Sequence, residues 1–262
     1  MKVFVFDSSK CNGCYGCQLA CKDEHCDNDW SPISLPQPDT GQFWCHLEEV
    51  VHGQVPKVRM EYTPKFGGQD SAIADYAPEV MMEREDGLRV IDPVKAAGRK
   101  DLAEKFPGVF WNEELNVPQA CTGCAHLVDE GQLPHCVDVC PTLALRFGDE
   151  EEFADEIAVA ETFDTGTGKP NVYYINMPHL FIAGDVWDPE IDEVIIGAKA
   201  TLTCPDGSVV EDETNVFGDF WFRKLDPGEY TVRVEADGYK AAEKAVSLDK
   251  SLNIGDFALE KA

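Results

Sequence analysis

The chain has 262 residues, 44% of them hydrophobic, and its 49 acidic against 22 basic residues give a formal net charge of −27. This excess of negative charge argues against binding to nucleic acids or to anionic membrane surfaces, both of which attract basic proteins. No apolar stretch reaches the roughly 18 residues of a membrane span, so no membrane insertion is predicted. The apolar run Val3–Phe6 is too short for a secretory signal and predicts a first β-strand instead. We therefore expect a cytoplasmic protein, with export in folded form beside a partner subunit as the alternative.

Eleven cysteines in a chain without an export signal indicate metal or cluster binding rather than disulfides. The first motif follows the predicted strand directly and has the spacing C-x2-C-x2-C-x3-C of bacterial ferredoxins, formed by Cys11, Cys14, Cys17 and Cys21. Three thiolates at this spacing can surround one face of a cuboidal [4Fe–4S] cluster. The fourth cysteine is expected to start a helix that leads away and to reach a second cluster.

A partner motif lies further along the sequence, and it ends in Cys140-Pro141 as ferredoxin motifs do. By the crossing rule of two-cluster ferredoxins, each motif gives three ligands to one cluster and its last cysteine to the other. The predicted ligands are Cys11, Cys14, Cys17 and Cys140 for the first cluster and Cys121, Cys124, Cys136 and Cys21 for the second. A zinc site and a thioredoxin-type redox pair are the alternatives, but eight ligands in two matched runs favour two clusters.

The remaining cysteines are predicted to be plain thiols. Cys26 and Cys45 lack the four partners of a third cluster and are interpreted as core residues, and Cys204 is expected to be a buried thiol. Histidines near the motifs are interpreted as surface or packing residues, with tuning of a cluster as an alternative; these are His25, His46, His126 and His135. Contact with a partner subunit is a further alternative for His126 and His135, which lie in the spacer of the second motif. The sequence contains no nucleophile triad, nucleotide loop or acid–base pair, so no catalytic residue is predicted.

From about residue 190 the chain shows the patterns of short β-strands. Apolar and polar residues alternate in 198–204, and the same period of two recurs in 220–222 and 230–236. Turn sequences such as Asp226-Pro227-Gly228 separate these runs. Short strands at this spacing predict a small antiparallel β-sandwich or barrel.

The cysteine motifs resemble those of a known family. The segments Cys11–Cys21 and Cys121–Asp149 are similar to the iron–sulfur β subunits of molybdenum enzymes of the dimethyl sulfoxide reductase superfamily. The resemblance implies a large α subunit as partner, and it implies that the molybdenum bis-pterin cofactor is held by that partner only. It also implies a second ferredoxin-like domain between the two motifs.

The expected second ferredoxin-like domain has no cluster ligands. Glu83–Pro93 resembles the strand pair that joins its motifs, whereas Tyr76-Ala77 and Lys95–Gly98 stand where cysteines are expected. We predict that this domain keeps its fold, filled by side chains. The fold class is then α+β, with a ferredoxin-like domain holding two clusters at 1–65 and 112–150, a degenerate second one at 66–111, a linker at 151–189 and a C-terminal β domain at 190–262.

One branch of the family is a closer match, namely the β subunits of pyrogallol–phloroglucinol transhydroxylases. Trp111–Val117 and the tail segments Asn215–Phe220 and Gly228–Val232 carry this likeness. The tail also resembles carboxypeptidase-regulatory, transthyretin-like and collagen-adhesin B-type domains, which are interaction modules. The resemblance implies a heterodimeric molybdenum enzyme that acts on phenolic hydroxyls as a transhydroxylase, hydroxylase or dehydroxylase.

Three functional hypotheses follow for the chain itself. The first is an electron-transfer subunit whose two clusters exchange single electrons with the partner's molybdenum. The second is a mainly structural subunit that poises the metal in a transhydroxylation without net redox change, which the missing second pair of clusters favours. The third is a free-standing ferredoxin with an interaction module. Because cluster potentials range from roughly −700 to +450 mV, the sequence predicts no direction of electron flow.

Overall fold

The fold is given by a computed structural model, which describes residues 1–25 and 43–262. Two compact units divide the chain: unit 1 comprises Met1–Glu49 and Tyr62–Met177, and unit 2 comprises Val50–Glu61 and Pro178–Ala262. Helices and strands are mixed, in agreement with the predicted α+β class. Cys26 lies outside the described residues. Among those that are described, no helix is long and apolar enough to cross a membrane.

The elements up to residue 177 are mostly short. In chain order they are β1 (Lys2–Asp7), α1 (Gly16–Glu24), β2 (Cys45–Gln54), β3 (Lys57–Phe66), α2 (Ser71–Tyr76), β4 (Met81–Glu83), β5 (Arg89–Ile91), α3 (Lys100–Lys105), β6 (Phe110–Asn112), β7 (Val117–Gln119), α4 (Ala125–Asp129), α5 (His135–Asp138), β8 (Leu145–Asp149), α6 (Ala154–Ile157) and β9 (Val172–Ile175). The remaining strands are β10 (Leu180–Asp188), β11 (Glu193–Val194), β12 (Lys199–Thr203), β13 (Val209–Glu213), β14 (Asp219–Leu225), β15 (Gly228–Glu235), β16 (Ala242–Leu248) and β17 (Leu252–Ala258).

Strand β1 is apolar throughout because both of its faces are covered. It pairs antiparallel with β8 and parallel with β9, so it is the central strand of its sheet. Successive side chains of a strand point to opposite faces. Phe4 and Phe6 pack into the core that contains the cysteines, whereas Val3 and Val5 pack with Tyr173 on the other side. The predicted first strand is confirmed, and the first cysteine loop starts from a buried strand.

The region between the two cysteine motifs has an apolar core of its own. β4 and β5 form an antiparallel pair with Met81 opposite Ile91, which confirms the strand pair predicted there. Ile73 from α2 and Leu102 from α3 are fully buried and pack in this core. Side chains therefore fill the interior of this region, as predicted for residues 66–111. Its relation to a ferredoxin-like module stays a prediction.

The segment 151–189, predicted to be a linker, is structured in large part. α6 follows β8, and β9 pairs with β1. Between them, Asp164 accepts hydrogen bonds from the backbone N–H groups of Ser71 at 3.1 Å and Gly166 at 3.0 Å. The Ser71 hydroxyl also donates to Asp164, at 2.5 Å. Burial raises the pKa of Asp164, but the hydroxyl and the two backbone donors outweigh burial and hold the pKa below its usual value. The Gly- and Thr-rich stretch is thus fixed on the first turn of α2, a tertiary contact that its composition does not reveal.

Unit 2 contains a β-sandwich. One sheet has the order β13-β12-β15-β16 and is antiparallel throughout, and the other contains β11, β10, β14 and β17. The alternation predicted from the sequence is confirmed, because Ala200, Leu202, Phe220, Phe222 and Val232 meet in one buried core. Hydrophobic side chains from both sheets fill the space between them, as in other sandwiches.

The second sheet of the sandwich differs from the purely antiparallel prediction. Its strands β10 and β17 run parallel to each other. β10 begins at Leu180, so the strands of the sandwich start ahead of the predicted boundary at residue 190. Both differences arise because β10, the first long strand of the sandwich, pairs with β17, its last strand, although most of the domain separates them in sequence. Local alternation gives no information about such a pairing.

The tip of the β2–β3 hairpin belongs to unit 2 and carries a buried lysine. Lys57 Nζ lies 2.6 Å from Asp185 Oδ1 and also contacts the carboxylate of Asp219, which faces Asp185 across β10 and β14. Burial lowers the pKa of Lys57, but its hydrogen bonds to both carboxylates hold the pKa above its usual value. The lysine therefore stays charged between the two carboxyl groups.

Candidate iron–sulfur site

The loop after β1 has a backbone that only a few residue types tolerate. Gly13, between the first two cysteines of the motif, has φ of +67°, and Tyr15 has φ of +60°. A Cβ atom at Gly13 would lie 2.5 Å from the ring of Tyr62, so a larger residue would clash there. The glycine allows the loop to turn tightly, and the chain then enters α1 at Gly16.

Helix α1 carries the last two cysteines of the first motif. Cys17 and Cys21 are four residues apart and lie on the same side of the helix, one turn from each other. The sequence predicted that the helix would begin at Cys21, whereas it begins at Gly16. The left-handed Tyr15 already turns the chain into the helix, so Cys17 lies inside the first turn and not in the loop.

The second motif repeats the loop conformation of the first. Gly123 has φ of +65° and Cys124 of +50°, and α4 begins directly afterwards. A Cβ atom at Gly123 would lie 2.7 Å from the side chain of Leu88. After the spacer, α5 carries Cys136 and ends just before Cys140. Because α5 packs against α1, the last two cysteines of each motif meet.

The structure brings the eight predicted ligands together in two crossed groups. Burial raises the pKa of Cys11, and the charges of three neighbouring cysteines raise it further. These neighbours are Cys14, Cys17 and Cys140. Burial also raises the pKa of Cys121, and the charges of Cys21, Cys124 and Cys136 raise it further. In each group the last cysteine of one motif lies among three from the other. We call these sets group 1 (Cys11, Cys14, Cys17, Cys140) and group 2 (Cys21, Cys121, Cys124, Cys136).

The two groups differ in burial. Group 2 is entirely buried, whereas Cys14 of group 1 is exposed and the other three members are partly exposed. Burial raises the pKa of Cys124 to about 12 and raises that of Cys121 well above its usual value. Such thiols do not ionise by themselves at neutral pH. They bind as thiolates only when a cation among them neutralises their charge.

Backbone N–H groups point at the sulfur atoms of both groups. Gly123 N lies 3.4 Å from Cys121 Sγ, Leu145 N lies 3.4 Å from Cys140 Sγ, and Cys45 N lies 3.3 Å from Cys21 Sγ. Further backbone N–H groups donate to Cys11, Cys17 and Cys124 and oppose the rise in pKa that burial causes; they belong to Gly13, Gln18 and His135, respectively. Six of the eight sulfurs thus accept a backbone hydrogen bond, which favours their thiolate form.

The residues present fit an iron–sulfur group in two further respects. Thiolate sulfur is the ligand type that such clusters use. Thr122 Oγ1, between two cysteines of group 2, is buried without a hydrogen-bond partner among the described residues, and a buried hydroxyl ordinarily has one.

Two further cysteines have different surroundings. Cys45 is completely buried in the core of unit 1, as predicted, and its thiol hydrogen-bonds to Cys17 and to Cys136. The hydrogen bond from Cys45 is the main cause that holds the pKa of Cys17 below its usual value. Cys204 packs against the sandwich core but is only partly buried, unlike the buried thiol predicted, because it follows the last residue of β12.

Three histidines and a glutamate surround group 2. The ring of His25 packs against that of Trp44 in a tilted arrangement, and its Nε2 lies 3.5 Å from Cys124 Sγ. Glu24 contacts His126 at 2.8 Å and His135 at 2.9 Å, one with each carboxylate oxygen. Sequence reasoning missed Glu24, although its position three residues after Cys21 on one helix was a usable signal. No sequence signal marked Cys45, since its spacing from either motif is unrelated to cluster binding.

The comparisons with known proteins agree with this arrangement. The 4Fe-4S dicluster domain family matches residues 69–150, and the carboxypeptidase regulatory-like domain family matches residues 182–260. The chain is 34% identical to the pyrogallol hydroxytransferase small subunit of Pelobacter acidigallici, over 97% of this chain and 98% of that protein. It is 32% identical to the B subunit of the anaerobic dimethyl sulfoxide reductase of Escherichia coli, over 64% of this chain and 85% of that protein.

This protein belongs to the iron–sulfur small subunits of the dimethyl sulfoxide reductase superfamily of molybdenum enzymes. Another relative is the arsenate respiratory reductase iron–sulfur subunit ArrB of a Shewanella species, 25% identical over 65% of this chain and 94% of that protein. As a member of this family, the chain is an iron–sulfur electron-transfer subunit of a molybdenum enzyme. The family match at residues 182–260 confirms the predicted likeness of the tail to a carboxypeptidase-regulatory domain.

Proposed function

We propose that this iron–sulfur small subunit holds two [4Fe–4S] clusters, one on group 1 and one on group 2. It would serve a heterodimeric molybdenum enzyme that acts on phenolic hydroxyls. The crossed grouping of the eight cysteines is the observation that carries the cluster assignment. The phenolic substrate is supported by the likeness, over 97% of the chain, to a protein named for pyrogallol.

The chain's own residues would prepare the two sites in distinct ways. A [4Fe–4S] cluster, when bound, accepts and returns one electron at a time. The backbone N–H groups at Gly123, Leu145 and Cys45 hold the sulfurs in place and stabilise negative charge on them. The buried position of group 2 excludes water from its sulfurs, whereas the exposed Cys14 brings group 1 to the surface, where electrons can pass to a partner.

Residues 66–111 are, in this proposal, a ferredoxin-like module that has lost its clusters. They contain no cysteine, and the buried side chains of Ile73, Leu102 and their neighbours occupy their interior. The 4Fe-4S dicluster family matches this region together with the second motif, although the motif supplies all the cysteines of the match. The chain would therefore carry two clusters in total, and the molybdenum bis-pterin cofactor would lie in the large partner subunit.

A second candidate function is a subunit that mainly poises and supports the partner's metal. A transhydroxylation has no net redox change, so steady turnover would need no electron exit. The missing ligands in residues 66–111 favour this candidate, because two clusters alone form no route to a distant acceptor. A free-standing ferredoxin with an interaction module is the third candidate, and it predicts isolation of the chain without a molybdenum protein.

Anaerobic purification of the complex from its native cells tests the proposal. We expect the chain to co-purify with a larger molybdenum protein in equal amounts, with about eight iron and about eight sulfide per small subunit. We also expect the complex to convert pyrogallol, resorcinol or a catechol. About four iron per chain, or zinc in place of iron, would refute the cluster assignment. A chain that purifies alone with full iron would favour the free-standing ferredoxin, and activity on none of the phenols would refute the substrate class.

A further inference from the structure

Cys45 lies between the two cysteine groups without belonging to either. Its side chain packs with Cys17 of group 1 and Cys136 of group 2 in one buried core, and its thiol hydrogen-bonds to both. Its backbone N–H donates to Cys21 Sγ of group 2 at 3.3 Å. One residue outside both motifs thus contacts three of the eight proposed ligands, and these three come from both groups.

The position of Cys45 is fixed by the elements that carry it. It is the first residue of β2 and is completely buried, and the next inward-facing residue of that strand, Leu47, is buried as well. The backbone N–H of Leu47 donates to the side-chain oxygen of Gln18 at 2.8 Å, on the same helix as Cys17 and Cys21. Two hydrogen bonds therefore tie the start of β2 to α1, and the thiol has no solvent into which it could turn.

From this geometry we infer that Cys45 is a shared hydrogen-bond donor which couples the two cluster sites and raises the reduction potentials of both clusters. The inference rests on the proposed cluster assignment. A donor to a ligand sulfur favours the more negative, reduced form of the site, so it raises the potential. Because the same thiol also contacts Cys136, a change of charge in one group alters the hydrogen bond available to the other.

The test compares Cys45→Ala and Cys45→Ser with Cys204→Ala in the purified complex. Cys204 is the matched control, because it is also a thiol outside both groups but lies in unit 2. Iron and sulfide are measured first, and the midpoint potentials of both clusters are then determined by redox titration followed by electron paramagnetic resonance. We expect full iron in all three variants, lower potentials of both clusters in Cys45→Ala, smaller shifts in Cys45→Ser, which keeps a donor, and no shift in Cys204→Ala.

The outcomes separate this inference from the proposed function. Wild-type complex with fewer than two clusters would refute the cluster assignment itself. Two clusters in the wild type, with unchanged potentials in both Cys45 variants, would refute only the role of Cys45. Loss of about half of the iron in both Cys45 variants would also refute it, since Cys45 would then be a ligand. If Cys45→Ala does not fold, the potential of Cys45→Ser decides, because an altered O–H donor must still shift it.

Discussion

At the scale of single residues, the chemistry of this chain depends on where a few sulfur atoms lie. The eight cysteines of the two motifs gather in crossed groups, in which Cys140 joins Cys11 and Cys21 joins Cys121. Sequence spacing alone also allows each run to keep its fourth cysteine. The packing of α5 against α1 favours the crossed arrangement, because it carries Cys140 toward the first loop and Cys21 toward the second.

Replacement of Cys140 tests the crossed arrangement. We expect Cys140→Ser to remove the cluster of group 1 and to spare that of group 2, so that iron falls from about eight to about four per chain. Chemical iron analysis and the electron paramagnetic resonance spectrum of the reduced protein give the measurement. Cys204→Ser serves as the control and should keep all of the iron. Loss of the group 2 cluster instead would mean that each motif supplies its own fourth ligand.

At the scale of elements, short helices and tight loops position the cysteines. α1 holds one cysteine of each group on the same face, and the left-handed residues Tyr15 and Cys124 turn each loop into its helix. Gly13 and Gly123 are needed because neighbouring side chains leave no room for a Cβ atom. The region 66–111 supports the second loop through Leu88, which packs on Gly123.

The core of residues 66–111 should stabilise the protein without holding iron. Leu102 is fully buried in this core, so we expect Leu102→Ala to lower the free energy of unfolding by about 2–5 kcal/mol. Denaturant unfolding measures this loss, and iron per folded chain should not change. Val94→Ala is the control from the same region, because Val94 is 84% exposed and its truncation should leave the stability unchanged. Wild-type stability in Leu102→Ala would contradict a packed side-chain core in this region.

At the scale of the whole molecule, the chain combines a cluster-binding unit with a β-sandwich. The chain has a formal net charge of −27, and each of its two units has an apolar core. The two groups of cysteines lie in unit 1, and residues 66–111 provide no ligands for a longer series of clusters. A short electron store beside a partner's molybdenum fits this composition better than a wire to a distant acceptor.

An electron store and a wire to a distant acceptor predict different electron balances for the complex. With a phenolic substrate and a hydroxylated co-substrate, we expect steady turnover after brief priming, with far less than one reductant molecule consumed per product. The measurement follows product by chromatography and reductant by absorbance in the same reaction. A strict ratio of one two-electron reductant per product would instead identify a net reduction. The clusters would then act as a path for every turnover, and the transhydroxylase type would be contradicted.

The amino-acid sequence predicts the eight proposed ligands, and it correctly predicts the first strand, the β4–β5 pair and the alternating strands of the sandwich. These features depend on local spacing and on residue type, which a sequence displays directly. It also predicted that side chains fill the interior of residues 66–111, because cysteines are missing where the family has them.

The tertiary structure alone decided the features that join distant parts of the molecule. It paired β10 with β17, fixed the stretch around Asp164 on α2, and brought Lys57 to two acids of the sandwich. It also brought Cys45, a thiol without any motif, between the two cysteine groups. Such contacts form because the chain minimises buried unpaired polar groups and empty space in three dimensions, and no short run of sequence records the partner.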